Sequence, residues 1–348
     1  RYKEIPYERV SAKGRDFGRT LPARTGAMQI PAVELPDGRW LTDTTPIIAW
    51  LEGQWEGPAV IPEDPAQAFL SRLIEDYGDE WLWRPAMHYR WSYAASRAEA
   101  GANLARELLA DIPLPVAIKR HFLSLRQLTI FVWGDGVTRS TWAHVEQGYF
   151  RALEHLASIL ERRPFLLGER PSLADIGYFG SMWRHFGIDA TPASIMREQA
   201  PSVYEWLGRL WNARASELNG SLLDGVPADW GPILDEIAGT HLEQLAANAV
   251  AWAKDEKQYE MVCQGTRYER VPTSRYRVWC LEEQRRNFEE LPDSAREEVR
   301  ALLERHGCWE PLWRVEARPS GHDPEREAPF CRGTRVFRAT RIQPRWLR

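Results

Sequence analysis

Apolar residues recur every three or four positions over much of residues 65–238, and this spacing predicts a helical domain. The first helix of that domain carries Phe69, Leu70, Leu73 and Tyr77 along one face. Strict alternation of apolar and polar residues, the pattern of a half-buried strand, is scarce there. Further helices are predicted over 93–110, 115–132, 141–162, 172–186 and 200–217.

The first 57 residues have a different pattern, which predicts a small α/β unit. The predicted strands are 5–10, 30–35 and 40–42. Pro36 and Gly38 favour a tight turn between the last two strands. Thr44 or Thr45 is expected to cap the helix that follows. Three prolines between residues 57 and 65 indicate a linker to the helical domain.

The pattern changes again after residue 238, and residues 239–348 are interpreted as a C-terminal extension of unassigned role. Its predicted elements are a helix over 242–257 and short strands over 259–271 and 276–281. Ser294 and Glu297 have the spacing of a capping box at the start of a later helix, which Gly307 ends. The extension is therefore expected to be α+β.

Length and composition limit the classes of protein to consider. A chain of 348 residues is too long for one compact core, which favours two or three domains. A formal net charge of −4 gives no global reason to expect nucleic acid or an anionic membrane as a partner. With no membrane-length apolar run and no recognisable signal peptide, a cytoplasmic protein is expected. The 17 tryptophans suggest large aromatic cores or an aromatic-lined pocket.

All four cysteines lie in the last third of the chain, at Cys263, Cys280, Cys308 and Cys331. None belongs to a C-x-x-C pair. In a chain of this length without a recognised secretion signal, free thiols are expected rather than disulfides. The spacings to nearby histidines are long and irregular for a zinc site, so no metal is predicted.

Four segments stand in a characteristic order along the chain. They are Ile5-Pro6-Tyr7-Glu8, Gln29-Ile30-Pro31-Ala32-Val33, Asp37 to Glu52, and Phe165 to Ile176. Together they resemble motifs of the glutathione S-transferase family, of bacterial type, over roughly residues 1–235. The resemblance implies a thioredoxin-like α/β domain at 1–57 that lacks its first strand and the start of its first helix. It further implies an all-α transferase C-terminal domain at 65–238, followed by the appended extension.

The resemblance also implies a glutathione site formed by Gln29, Ile30, Pro31, Asp43 and Thr44. A strand beside a cis X-Pro bond presents backbone N–H and C=O groups with which a peptide can pair, and Ile30 is expected to hold the cysteinyl part of glutathione. Asp43 and Thr44 stand at a helix start, where free N–H groups favour a carboxylate, and are expected to hold the γ-glutamyl end. Read locally, these two residues would only cap a helix.

No catalytic residue is assigned. In the family, a Tyr, Ser or Cys near the first strand lowers the pKa of the glutathione thiol. An unperturbed thiol, with a pKa of about 8.5, is mostly protonated at neutral pH, and the thiolate is the nucleophile. The activating residue is expected to precede Arg1, because Tyr2 and Tyr7 come too late in the pattern.

Two pairs of residues in the helical domain are further candidates. Tyr77 and Trp81 are predicted to border an aromatic pocket for the electrophilic substrate, with helix packing or a dimer contact as the alternative. Ser172 and Asp175 are predicted to form a structural capping box and no catalytic pair.

Four carboxylates follow at helical spacing near the start of the helical domain, at Glu75, Asp76, Asp79 and Glu80. Metal binding is one interpretation. The absence of an accompanying Glu-x-x-His motif favours a solvated or pocket-rim face instead.

The sequence thus predicts a glutathione transferase in which bound glutathione attacks a hydrophobic or aromatic electrophile. Its expected partners are glutathione, a hydrophobic small molecule and a second copy of the chain in a homodimer. No nucleic acid, membrane or metal is expected. A glutathione-dependent lyase, isomerase or dehalogenase is the alternative within enzymes. A non-catalytic member of the fold, used for protein interaction, is the alternative from another class.

Overall fold

A computed structural model describes residues 1–218, 220–316 and 318–330. Cys331 and the rest of the predicted extension lie outside the described residues. The domain limits at 57, 65 and 238 stay predictions, and the elements are described below in chain order.

The first element pair is a short hairpin. Strand β1 (Ala32–Glu34) pairs antiparallel with β2 (Trp40–Thr42), and the turn between them contains Gly38 at φ 84°. Before the hairpin, a π-helical turn (Asp16–Thr20) leads into helix α1 (Leu21–Thr25). After it comes α2 (Thr44–Gln54).

The strand predicted at 5–10 is wrong. Residues 4–13 have no regular secondary structure, and the side chains of Tyr7 and Val10 are exposed. A strand is stable only when a neighbour pairs with its backbone. No described residue forms a ladder with this segment.

The central part of the chain is helical, as its periodicity predicts. Asp64 caps the first of these helices by accepting a hydrogen bond from the N–H of Gln67 at 2.8 Å. The helices are α3 (Pro65–Asp76), α4 (Trp83–Ser92), α5 (Ala94–Glu107), α6 (Val116–Gln127), α7 (Trp142–Leu160), α8 (Leu173–Ser181), α9 (Ala190–Gln199) and α10 (Pro201–Asn212). Helix α9 was not predicted, because its short sequence is mostly small and polar.

Two glycines let α3 and α8 approach closely. A Cβ added at Gly177 on α8 would lie 2.4 Å from the Cα of Glu75 on α3. A Cβ at Gly78 would lie 2.9 Å from the carbonyl carbon of Gly177. Both contacts are with backbone atoms, so side chains at these positions would push the helices apart. The close crossing fixes the end of α3, which carries the predicted carboxylate group.

The C-terminal part contains helices and a second hairpin. The elements are α11 (Gly231–Ile237), α12 (Glu243–Ala253), β3 (Gln258–Cys263), β4 (Thr266–Pro272), α13 (Arg275–Glu289), α14 (Asp293–Arg305) and α15 (Trp309–Trp313). Strands β3 and β4 are antiparallel, and Gly265 has φ 80° in the turn between them. The single strand predicted over 259–271 is therefore this hairpin. Cys263, Cys280 and Cys308 are buried free thiols.

Two other predictions for the extension are wrong. Residues 276–281 form no strand and lie within α13, which Ser274 caps by accepting a hydrogen bond from the N–H of Arg277. Tyr, Val and Trp favour strands locally, but packing against the helical domain overrides that preference. Helix α14 begins at Asp293 after Pro292, so Ser294 is not its N-cap.

The extension shares one hydrophobic core with the helical domain. A single cluster of buried residues reaches from Val60 to Leu312. Across the junction, the ring of Phe69 on α3 meets that of Phe288 on α13 edge-on at 5.9 Å. In the described part of the chain, no helix is long and apolar enough to cross a membrane.

A buried charge network also joins the two parts. Asp135 follows α6 in a short 3₁₀ turn and contacts Arg84 of α4 and Arg277 of α13, and each of the three is 1% exposed. The Oδ1 atom of Asp135 lies 3.0 Å from Nη2 of Arg277, and its Oδ2 lies 3.1 Å from Nε of Arg84. Arg84 also donates to Oε1 of Gln244 on α12 at 2.6 Å.

Replacing Asp135 with Ala should lower the free energy of unfolding by about 3–5 kcal/mol, because it leaves two buried arginines without their shared carboxylate. Urea unfolding followed by tryptophan fluorescence measures the change. The control is Asp37→Ala, which removes the exposed Asp37–Arg39 pair and should leave the free energy of unfolding nearly unchanged. Equal effects of the two variants would contradict a structural role for the network.

Candidate functional site

The first hairpin brings the two halves of the predicted glutathione site to one end. Ala32, the first residue of β1, pairs with Thr42, the last residue of β2. The Ile30–Pro31 segment before β1 therefore lies beside Asp43 after β2. The Ile30–Pro31 bond is cis, and the Ile30 side chain is 59% exposed. Among the described residues, no backbone group bonds to the N–H or C=O of Ile30.

The other residues of the predicted set lie at the same end. Gln29, immediately before Ile30, is half-buried, and Thr44 is the half-buried first residue of α2. The first N–H groups of an α-helix have no partner within the helix, so the start of α2 can bind an anion.

Asp43 has a strained backbone. Its φ of 75° and ψ of 122° lie outside the regions that residues with a side chain ordinarily adopt. Such a conformation persists only where the surroundings impose it, and strained residues cluster at binding sites. Here the strained residue connects the end of β2 directly to the start of α2.

Carboxylates crowd around Asp43. Glu75 and Asp76 on α3 are buried, and Asp79 and Glu80 in the turn after it are half-buried. Thr45 donates its hydroxyl to both oxygens of Glu75, at 2.9 and 3.1 Å. Of the predicted solvated or pocket-rim face, the solvated alternative is wrong, because α8, α2 and the extension cover these carboxylates, whereas Asp76 does line a cavity.

Burial and mutual repulsion hold protons on this group. Burial is the largest cause in each case: it raises the pKa of Asp43 to about 7 and that of Asp79 to about 6. Repulsion between neighbouring carboxylates adds to the effect, and the pKa values of Glu75 and Glu80 lie well above the usual range. The Tyr276 hydroxyl faces the Asp43 carboxylate and opposes the rise in its pKa.

The extension forms one wall of a cavity at this place. The cavity has a volume of about 260 Å³ and lies between α2, α3, α13 and residues 323–328. Thr45 lines it from α2, Asp76 from α3, and Tyr276 and Gln284 from α13. The same Tyr276 faces Asp43, so the cavity adjoins the predicted γ-glutamyl site.

The structure does not bring Tyr77 and Trp81 to a cavity. Tyr77 is 1% exposed and packs against Tyr178 and His241, with ring centroids 6.0 and 6.4 Å away. Trp81 is 3% exposed and packs against Tyr268 of β4 and under the guanidinium of Arg84. Helix packing, the alternative for these residues, is what the described residues show.

Ser172 and Asp175 lie at the start of α8, where their side chains and backbone groups form a capping box. Asp175 accepts further hydrogen bonds from the N–H of Leu166 at 2.9 Å and from the indole of Trp206 at 3.1 Å. Because both carboxylate oxygens of Asp175 accept hydrogen bonds inside the core, its role is structural. Across the described residues, no group of three or more His, Cys, Asp or Glu side chains could hold a metal ion.

Family models agree with this architecture. The glutathione S-transferase N-terminal domain matches residues 1–54, and the glutathione S-transferase C-terminal domain matches residues 137–209. The chain thus carries the N-terminal and C-terminal domains of the glutathione S-transferase family. The predicted fold class is confirmed: a thioredoxin-like domain, an all-helical domain and an appended α+β extension.

Other comparisons add little to the family assignment. A crystal structure of a glutathione S-transferase domain-containing protein from Marinobacter aquaeolei VT8 is 16% identical to the chain. It covers 57% of this chain and 80% of its own, with a TM-score of 0.31, too low to support a structural argument. No curated protein shows significant similarity to the chain.

The extension residues at the site were missed from the sequence. Tyr276, Cys280 and Gln284 are spaced four residues apart, which places them on one face of a helix. The strand interpretation of 276–281 hid this spacing. Arg72 and Asp76 on α3 have the same four-residue spacing and line the cavity from the other side.

Replacing Asp79 with Asn should stabilise the protein more at pH 8 than at pH 5. The folded-state pKa of about 6 lies above the unfolded value of about 3.9, so wild-type stability is lost as pH rises through this range. Asparagine does not titrate and avoids that loss.

Melting temperatures of the two proteins at pH 5 and pH 8 measure the difference. Asp37→Asn is the control, because a hydrogen bond from the Arg39 N–H lowers the pKa of the exposed Asp37. That variant should gain nothing at pH 8. An Asp79→Asn difference independent of pH would contradict the buried carboxylate group.

Proposed function

We propose that this member of the glutathione S-transferase family binds glutathione at Gln29–Pro31 and Asp43–Thr44, and transfers it to a hydrophobic electrophile. The observation that carries the proposal is the convergence of these segments at one end of the hairpin. The unbonded backbone of Ile30 and the start of α2 lie side by side there.

Two of the three parts of glutathione, the cysteinyl and γ-glutamyl units, find suitable groups. The backbone of Ile30 offers an N–H donor and a C=O acceptor to the cysteinyl peptide unit. The N–H groups at the start of α2 and the Thr44 hydroxyl suit the γ-glutamyl carboxylate. The carboxylate of Asp43, ionised above its pKa of about 7, suits the γ-glutamyl ammonium.

The proposed reaction is a substitution at carbon. The glutathione thiol loses its proton, the sulfur forms a bond to an electrophilic carbon, and the leaving group departs with the bonding electron pair. The residues named above bind and orient glutathione. None of them is assigned the activation of its thiol.

A non-catalytic role is the second candidate function. It is favoured by the packing of Tyr77 against His241, in the turn before α12, and of Trp81 against Tyr268 of β4, because both side chains are buried rather than open to a substrate. Within the described residues, the predicted aromatic pocket is thus filled by the extension. Glutathione would then act as a bound ligand of an interaction module.

Other parts of the sequence interpretation stay predictions. They are the homodimer, the cytoplasmic location, and a lyase, isomerase or dehalogenase reaction in place of conjugation.

Asp43→Asn should weaken glutathione binding about tenfold at pH 8, because it removes the charged partner of the ammonium, and Thr44→Val should weaken it by a similar factor. Isothermal titration calorimetry gives the affinities, with Asp37→Asn as the exposed control. Conjugation to a chlorinated nitroaromatic compound, followed by absorbance, tests transfer. No glutathione binding by the wild type would overturn the proposal, whereas binding without conjugation would favour the non-catalytic role.

A further inference from the structure

The cavity beside Asp43 contains a buried polar group without a partner. Gln284 is 4% exposed, and among the described residues nothing donates a hydrogen bond to its Oε1 atom. A buried acceptor left in this state has lost the hydrogen bonds that it makes to water in the unfolded chain, and a donor from a ligand would replace them. Gln284 lines the cavity, so a ligand bound there is the available source of a donor for this oxygen.

The α3 wall of the cavity carries two opposite charges one helical turn apart. Asp76 supplies a carboxylate whose Oδ2 atom lies 2.7 Å from Nε2 of the buried His241, which leaves Oδ1 toward a ligand. Arg72 supplies a guanidinium, and none of the described residues forms a hydrogen bond or ion pair with it. Burial lowers the pKa of Arg72, and the guanidinium of Arg286 lowers it further. Arg286 is itself paired with Glu283. Among the described residues that line the cavity, Arg72 is therefore a cation without an ion-pair partner, although the more distant carboxylates of Glu290, Glu75 and Glu283 act on it.

These three side chains match the two charges of an α-amino acid. Its ammonium can donate to Asp76 and Gln284, and its carboxylate can accept from Arg72. The ammonium and the carboxylate of an α-amino acid are attached to the same carbon, so their binding partners must lie close together. Arg72 and Asp76 meet this requirement because they are one turn apart on α3. The volume of about 260 Å³ is below the roughly 300 Å³ at which pockets for whole drug-sized ligands begin, so it suits one end of a peptide.

We propose that the extension completes the site: Gln284 of α13, together with Asp76 and Arg72, binds the α-amino acid end of a γ-glutamyl ligand. The proposal rests on the proposed function and adds to its contacts: the γ-glutamyl ammonium would be shared by Asp43, Asp76 and Gln284, and the carboxylate by the start of α2 and Arg72. It goes further in making α13 part of the recognition surface. The appended segment would then set which γ-glutamyl compounds bind.

Paired changes in protein and ligand test these contacts. Gln284→Leu and Arg72→Met should each weaken glutathione binding ten- to a hundredfold, the loss expected for a hydrogen bond to a charged group. An analogue without the amino group should bind Gln284→Leu and wild type equally. An analogue without the α-carboxylate should bind Arg72→Met and wild type equally. The exposed variants Gln199→Leu and Arg267→Met are matched controls, and melting temperatures verify folding.

The outcomes separate this proposal from the proposed function. If glutathione binds and Asp43→Asn weakens it while Gln284→Leu and Arg72→Met are silent, the extension is not part of the site. Binding of L-glutamate or γ-glutamylcysteine without glutathione, with loss in Arg72→Met, would keep the cavity proposal and overturn the function. Binding of none of the three ligands would overturn both.

Discussion

The shared carboxylate of Asp135 holds the helical domain and the extension in one arrangement. It lies between Arg84 and Arg277, and none of the three can leave the contact without exposing an unpaired charge to the core. Because Arg277 follows Tyr276 directly, this network also fixes where α13 begins. This charge network therefore positions Tyr276 against Asp43, and it also positions Gln284 in the cavity.

A second consequence of this packing is an unusually acidic interior. Covering Asp43, Glu75, Asp79 and Glu80 raises their pKa values, so several of these groups retain protons near neutral pH. Proteins keep such arrangements at a cost in stability, and perturbed carboxylates cluster at functional sites. A bound ammonium group would relieve the repulsion. The acidic wall and the unpaired Arg72 thus make the cavity suited to a zwitterion and less suited to a simple cation.

Sequence patterns were sufficient to predict the structure of those segments whose conformation depends on neighbouring residues. The turn at Gly38, the hairpin register and the helical periodicity are all set by neighbouring residues, and the hairpin brings Ile30 and Asp43 to the same end. The patterns were insufficient for segments whose conformation depends on packing against residues that are distant in the sequence. Residues 276–281 favour a strand locally yet form a helix. The sequence pattern around Glu75 is that of an exposed residue, but α8 packs against it at Gly177 and buries it. The cavity combines α2, α3 and α13, whose proximity no local pattern encodes.

Hydrogen–deuterium exchange of the full chain with and without glutathione tests most directly whether the extension belongs to the site. Glutathione should slow exchange both at residues 42–48, where α2 begins, and at residues 275–287 of α13. The two regions should be protected over the same range of glutathione concentration, since one ligand contacts both. Protection confined to residues 42–48, with α13 unchanged at saturation, would contradict the account.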